Sequence, residues 1–268
     1  MHDHLVKGVI HCHTNLSYDS RINLPDLCVS LKSEGFGFIA LTEHTHGLTD
    51  QDYIEFVHEC KKLSTDTFVV LPGLEILCHD GTEIAGVGIL KFITERVPDR
   101  AIAAIRSQGG LSIWVHPLKG KRFKSLLTRC DAIEVLNGKV DGSMAPNLKL
   151  VRLVRALRLS GNPVWGIFGL DLHNMEEPRI VWVECEVADL TQESIIKSLR
   201  QGRFVNRVVH GMVTSSGIIK PGDHFKLAVL RVGYQFWDAF LANLPQPLHE
   251  FLIRSTRPIV RIMKKAGK

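Results

Sequence analysis

Short runs rich in valine, isoleucine and leucine recur along this chain, and longer stretches with helical spacing separate them. Such runs lack the in-and-out alternation of a half-exposed sheet. They read instead as strands buried on both faces by crossover helices, the pattern of a parallel sheet. The candidate strands are 8–13, 36–44, 67–75, 83–90, 111–116, 132–137, 164–173 and 180–186. Helical punctuation fits between them: Leu24-Pro25-Asp26 opens a segment that Gly35 breaks, Asp50 or Asp52 opens another, and 101–106, 147–159 and 191–200 follow. Seven or eight strands suffice to close a barrel. The expected fold class is α/β, an irregular (β/α)7-type barrel whose loop-bearing rim lies at the carboxyl ends of the strands.

Charge divides the chain where hydropathy does not. Residues 206–268 hold ten Lys or Arg against three Asp or Glu, a net +7, while residues 1–205 come to −2. The expected organisation is therefore a catalytic-sized body over 1–205 and a basic, partly apolar helical extension over 206–268. A body near neutrality is not itself a basic nucleic-acid binder. Six cysteines are scattered without metal-binding spacing, and no hydrophobic leader with a cleavage site is read ahead of them. A reducing cytoplasm is the expected location. No apolar run reaches the roughly 18 residues of a membrane span, so membrane contact is expected to be peripheral at most.

The ends of the strands carry the chemistry. In the run Val9-Ile-His-Cys-His13, strand alternation puts His11 and His13 on one face, where both can reach one metal ion. Taken alone, an HxH pair is weak evidence. Later strands close on Glu43 and His44, on Glu75, on His116 and on Asp171 with His173, while Glu134 lies inside its strand. In a parallel barrel these ends converge on one rim. Imidazoles and carboxylates crowded there require cations. Asp19, on the loop after the first strand, can fold back over the same rim, although a turn cap explains it as simply. Mixed histidine and carboxylate ligation suits zinc, manganese or iron.

At these residues the sequence resembles the PHP family, the polymerase and histidinol phosphatase superfamily of metallo-phosphoesterases. The motifs are His11-Cys-His13-Thr with Ser-Tyr-Asp19, Thr42-Glu43-His44, Pro72-Gly-Leu-Glu75, His116-Pro117 and Gly169-Leu-Asp171-Leu-His173, spread over about residues 8–180. The resemblance implies a distorted barrel with two or three divalent ions, held by His11, His13, Asp19, His44, Glu75, His116, Asp171 and His173. It implies hydrolysis of a phosphate ester by water activated between two ions, with no serine or cysteine nucleophile. Asp171 and His173 are the candidates for moving a proton to the leaving group. Two positions depart from the family pattern: Glu43 stands where an Asp is usual, and Glu83 near where many members place a His. Glu43, Glu83 and Glu134 are candidates either for metal ligands or for groups that brace one.

Loops beyond strand ends are where binding residues sit, which singles out Arg21, His46 and Lys119 as candidate grips on a phosphate. Solvated loop residues are the plainer reading of all three. Expected partners are a small phosphorylated metabolite or nucleotide or, in the rival reading as a nuclease, DNA or RNA ends. A third reading is a non-catalytic module that keeps its metals for stability and is recruited through the tail. The extension, with Tyr234, Phe236, Trp237 and Phe240 followed by Arg254, Arg257, Arg261, Lys264 and Lys265, is expected either to pack on the body or across an oligomer, or to lie on an anionic membrane or nucleic acid.

Overall fold

Thr42 and Pro72 interrupt what the sequence reads as two long strands, and both breaks fall where the chain passes from one sheet to the other. The computed structural model describes residues 4–117, 126–141 and 145–242. In chain order the elements are β1 (His4–Cys12), α1 (Leu24–Ser33), β2 (Phe38–Leu41), β3 (Glu43–His44), α2 (Asp50–Leu63), β4 (Val69–Leu71), β5 (Gly73–Leu77) and β6 (Glu83–Val87). There follow α3 (Pro98–Ser107), β7 (Leu111–Val115), β8 (Ala132–Asn137), α4 (Leu148–Leu159), β9 (Trp165–Gly169), β10 (Val181–Val187), α5 (Gln192–Gln201), β11 (Phe204–Val208), β12 (Gly211–Thr214) and α6 (Pro221–Ala242).

The strands form two six-stranded sheets, ordered β12-β11-β10-β1-β2-β4 and β3-β5-β6-β7-β8-β9. Proline lacks the N–H that a ladder needs, so Pro72 is a natural break between β4 and β5. Beside it, a Cβ on Gly73 would lie 2.2 Å from Leu41 O and 2.4 Å from Gly86 O, so only glycine lets the three backbones approach there. The sheets are tied to each other by main-chain bonds: Leu170 N donates to Ile10 O (2.7 Å), Leu172 N to His11 O (3.2 Å), and His13 N to Leu172 O (2.9 Å).

The all-parallel reading needs correction. β6 runs antiparallel to both β5 and β7, and β10, β11 and β12 form an antiparallel run beside β1. Apolar runs carry no arrow, because a strand buried on both faces has the same composition in either direction. The reversal places the first residue of β6, Glu83, opposite Val115, next to the end of β7. Glu83 thereby reaches the rim from a strand start. β11 and β12, unforeseen from the sequence, continue the sheet past residue 205.

Adjacent residues of one strand enter different cores. Phe38, Val69, Ala85, Ile113 and Ala132 pack in one cluster, while Ile39, Val70, Ile84, Trp114 and Ile133 pack in the other. This is the two-sided burial that the continuous apolar runs imply, each valine, isoleucine or phenylalanine among them contributing about 1.5–3 kcal/mol of hydrophobic stabilisation before entropy is set against it. Ile195, Ile196 and Leu199 of α5 complete the first cluster. Caps set the helix starts: Asn23 Oδ1 accepts from Asp26 N ahead of α1, and Thr49 with Asp52 forms a reciprocal capping box at α2. Among the described residues, no helix is long and apolar enough to cross a membrane.

Candidate metal centre

Among the described residues, three other than glycine have left-handed backbone: His11 (φ 65°), His116 (φ 46°) and Asp171 (φ 53°). That region is costly for a side chain with a Cβ and persists only where the surroundings impose it. At His11 the pairing of β1 with β2 slips between Ile10 and Cys12, a bulge that breaks the alternation. His11 and His13 do face one centre, with ring centroids 5.3 Å apart, but the bulge aims them rather than a regular i, i+2 strand. Asp171 and His173 likewise lie beyond β9, not within it. The three strained residues are themselves one group of neighbouring ligand atoms.

Glu75 and Asp171 join the histidines. Glu75 Oε2 stands 3.4 Å from His11 Nε2, 3.3 Å from His13 Nε2 and 3.3 Å from His44 Nδ1, while its Oε1 stands 3.4 Å from His116 Nε2. Asp171 Oδ1 is 3.6 Å from both His11 Nε2 and His13 Nε2 and 3.3 Å from His173 Nδ1, and its Oδ2 is 3.7 Å from His116 Nε2. Asp19 closes the outer side, 3.4 Å from His44 Nε2 and 3.1 Å from His173 Nε2. Glu83 Oε2 approaches His116 Nε2 at 4.0 Å.

Most of these separations exceed a good hydrogen bond, which runs about 2.7–3.2 Å. They match the edges of a coordination shell, since tetrahedral ligands about 2.1 Å from an ion stand about 3.4 Å apart. His13 Nε2, His173 Nε2 and Glu75 Oε1 are buried with no hydrogen-bond partner, which a purely structural cluster would not tolerate. Among the described residues, ligand atoms group within 4.8 Å as His11, His13 and Glu75; His11, His116 and Asp171; His13, His44 and His173; and Glu75, Glu83 and His116. The residues present fit the binding of divalent metal.

Electrostatics point the same way. Burial opposes a charged His11, yet Glu134, Asp171 and Glu75 outweigh it and hold that imidazole well above its usual range. At His13 burial wins and lowers the pKa to about 4. Glu75 is also opposed by burial, but the charge on His11 and the imidazole nitrogens of His11, His116 and His13 that face it keep its carboxyl well below the ordinary value. The pocket thus favours carboxylates facing imidazoles and attracts positive charge.

Outer contacts fix the ligands. Glu134 Oε1 pairs with His11 Nδ1 at 2.7 Å, and its Oε2 accepts from His116 N and from Asn137 Nδ2, both at 3.1 Å. Glu134 therefore orients His11, with its carboxylate turned to the back of that ring. Gly169 makes room for it: an added Cβ would sit 1.9 Å from Glu134 Oε1 and 3.1 Å from His11 Cβ. Glu43 is buried and accepts from Thr14 N (2.9 Å) and Ser17 Oγ (2.5 Å), with burial pushing its pKa up to about 7. It ties down the loop that leads to Asp19. Ser17 Oγ in turn accepts from His44 N (3.0 Å) and lies 3.2 Å from His13 Nδ1.

Of the candidate phosphate grips, Arg21 and His46 are exposed, and Lys119 lies outside the described residues. Sequence reasoning passed over Ser17, Tyr18, Asn137 and Gly169. Tyr18, 70% exposed, stacks on His44 with centroids 5.1 Å apart and meets His46 edge-on at 5.8 Å. The signal for Ser17 and Tyr18 was their place in the Ser-Tyr-Asp19 motif, and for Gly169 its place at the head of the Gly169-Leu-Asp171 motif; Asn137 had none beyond closing a strand.

An α/β fold that gathers imidazoles and carboxylates in one pocket is the kind of site that a metal-dependent hydrolase uses. Residues 10–144, half of the chain, match the PHP domain, and the chain belongs to that family of metal-dependent phosphoesterases. The match stops short of Asp171 and His173, which the fold brings to the same pocket. In three dimensions the chain is similar to a two-domain protein from Bacteroides vulgatus ATCC 8482 that contains a predicted PHP-like metal-dependent phosphoesterase. That likeness has a TM-score of 0.59 at 15% identity and covers 79% of this chain and 67% of that one. It is also similar to PsfC from Pseudomonas syringae PB-5123, with a TM-score of 0.53 at 16% identity over 87% of this chain and 99% of that one. At such identities the likeness is one of fold. No curated protein matches the chain in sequence.

Proposed function

We propose that this protein hydrolyses a phosphomonoester, carried by a small metabolite or a nucleotide, at a centre of two or three divalent ions of zinc, manganese or iron. The observation that carries the reading is the double role of Glu75, whose two oxygens face imidazoles on either side. Bound there, such ions supply a water of lowered pKa and neutralise the charge of the phosphoryl group. His11, His13, His44, Glu75, His116 and Asp171 hold them, and Asp19 with His173 completes the outer side. Glu83 is placed to join His116 and Glu75.

The chain's own groups do the rest. His173 Nε2 faces Asp19 across 3.1 Å at the open edge, where the pair can hold a proton for the departing alkoxide, with Asp171 fixing the other ring nitrogen. Arg21 and His46, exposed on loops that follow the rim strands, are the candidate partners for phosphate oxygens in this reading. In this reading β1 to β9, with β2–β3 and β4–β5 each one broken strand, form an irregular (β/α)7-type barrel closed where 170–173 bonds to β1, and 206–268 is its extension. Six free, buried cysteines support a reducing, cytoplasmic setting.

The test is phosphate release from a panel of phosphomonoesters by metal-loaded protein, run beside nucleotide release from single-stranded DNA and RNA. Monoester turnover that disappears in His173→Ala with its metal content retained supports both the activity and the proton role. Oligonucleotide degradation with no monoester turnover would replace this reading with a nuclease. Inactivity on every ester would leave the binding-module reading in its place.

A further inference from the structure

We propose that α6 docks this protein on an anionic lipid surface. One side of the helix is committed to the body: Leu227 is fully buried beneath Gly211, Asp223 Oδ2 accepts from Met212 N at 3.3 Å, and Arg231 pairs with Asp141 at 2.6 Å. On the opposite side stand Phe225 (77% exposed), Val229 (54%), Val232 (64%) and Phe236 (78%). Their spacing of four, three and four residues lines them up as one stripe at 3.6 residues per turn. Single exposed apolar residues need no explanation, but two phenylalanines and two valines in register along one helix face do.

Charge selects the occupant. The sequence that follows, 243–268, holds Arg254, Arg257, Arg261, Lys264, Lys265 and Lys268 against Glu250 alone, interleaved with leucine, isoleucine and phenylalanine. A second copy docking stripe to stripe would bring a region of +7 against another of +7. A nucleic acid would answer the charge but leave the apolar stripe in water, because its outer surface is a polyanion read by polar contacts. An anionic bilayer satisfies both at once, with the stripe entering the boundary of headgroups and acyl chains while the cations meet phosphate headgroups. The Arg231–Asp141 pair lies on the other side of the helix, so docking leaves it intact.

The test is co-sedimentation of the full chain with phosphatidylcholine vesicles, with and without phosphatidylglycerol. Binding is expected to the anionic vesicles, to fall with salt, and to weaken by roughly tenfold or more in Phe225→Ser/Phe236→Ser, given the apolar area removed. Replacing Arg257, Arg261, Lys264 and Lys265 by Gln should weaken it at least as much, at about fivefold per charge. The melting temperature and metal content of both variants, unchanged, show that the body is intact. Failure to sediment, or sedimentation of the stripe variant like the parent, would overturn the proposal. So would a dimer that dissociates in the stripe variant without vesicle binding, or oligonucleotide binding that is indifferent to the stripe.

Discussion

The two sides of the metal centre are built differently. On the inner side His11, His13, Glu75 and Asp171 are almost wholly buried, and the backbone of His11, His116 and Asp171 is strained into place. Glu134, Asn137 and Gly169 brace that side from behind. On the outer side Asp19 and His44 retain about a third and a fifth of their side-chain exposure, and their support is a loop tied through Ser17 and Glu43. The contrast teaches that the inner side is held by packing, strained backbone and buried partners, whereas the outer side rests on loops near the surface.

The hardest blow to that picture is expected from Glu75→Gln, which takes charge from the residue shared by both sides. Metal analysis should show loss of ions from inner and outer sides together, with activity falling by more than the roughly 10–100-fold that removal of a ligand's outer partner costs. Full metal content in this variant would show that the two sides are independent. Next comes Gly169→Ala, whose methyl group collides with Glu134 and crowds His11. Its metal affinity should fall about 10–100-fold and its stability by about 1–3 kcal/mol, read by metal titration and denaturant unfolding. Unaltered affinity would mean that Glu134 does not hold His11.

Asp19→Asn should act on the outer side alone, lowering the number of ions bound while the remaining ones keep their affinity. Loss of every ion would erase the distinction between the sides. The smallest effect belongs to Asp52→Asn at the cap of α2, where the loop from His44 ends. The hydrogen bonds from Thr49 hold the Asp52 carboxyl below its usual range, so its stabilising contribution is present above the unfolded-state pKa and is lost as pH falls through the folded one. The variant should melt slightly below the parent at neutral pH, with the gap closing in acid and the metal content unchanged.

Much of this was legible early because it follows from local chemistry. Apolar runs of strand length become two-sided strands whatever their direction, and the β8 candidate 132–137 coincides with the observed strand. Helix starts at Asn23, Thr49 and Asn147 carry their own caps. The ligand types at strand ends were visible because charge at the close of an apolar run has few structural uses. Glu134 was not resolved between ligand and brace, since the two uses differ only in which side of His11 it meets.

The sequence by itself determined the alternation of strands and helices, the identity of the groups that gather at one rim, and the separation of a near-neutral body from a cationic end. Tertiary structure alone decided the reversal of β6 that delivers Glu83, the bulge that turns His11 inward, and the space at Gly169 that admits Glu134. The reason is range. Periodicity and capping are fixed by neighbours a few residues apart, whereas strand direction, backbone strain and a carboxylate's choice of partner are settled by groups as distant as His11 and Glu134, 123 residues apart in the chain.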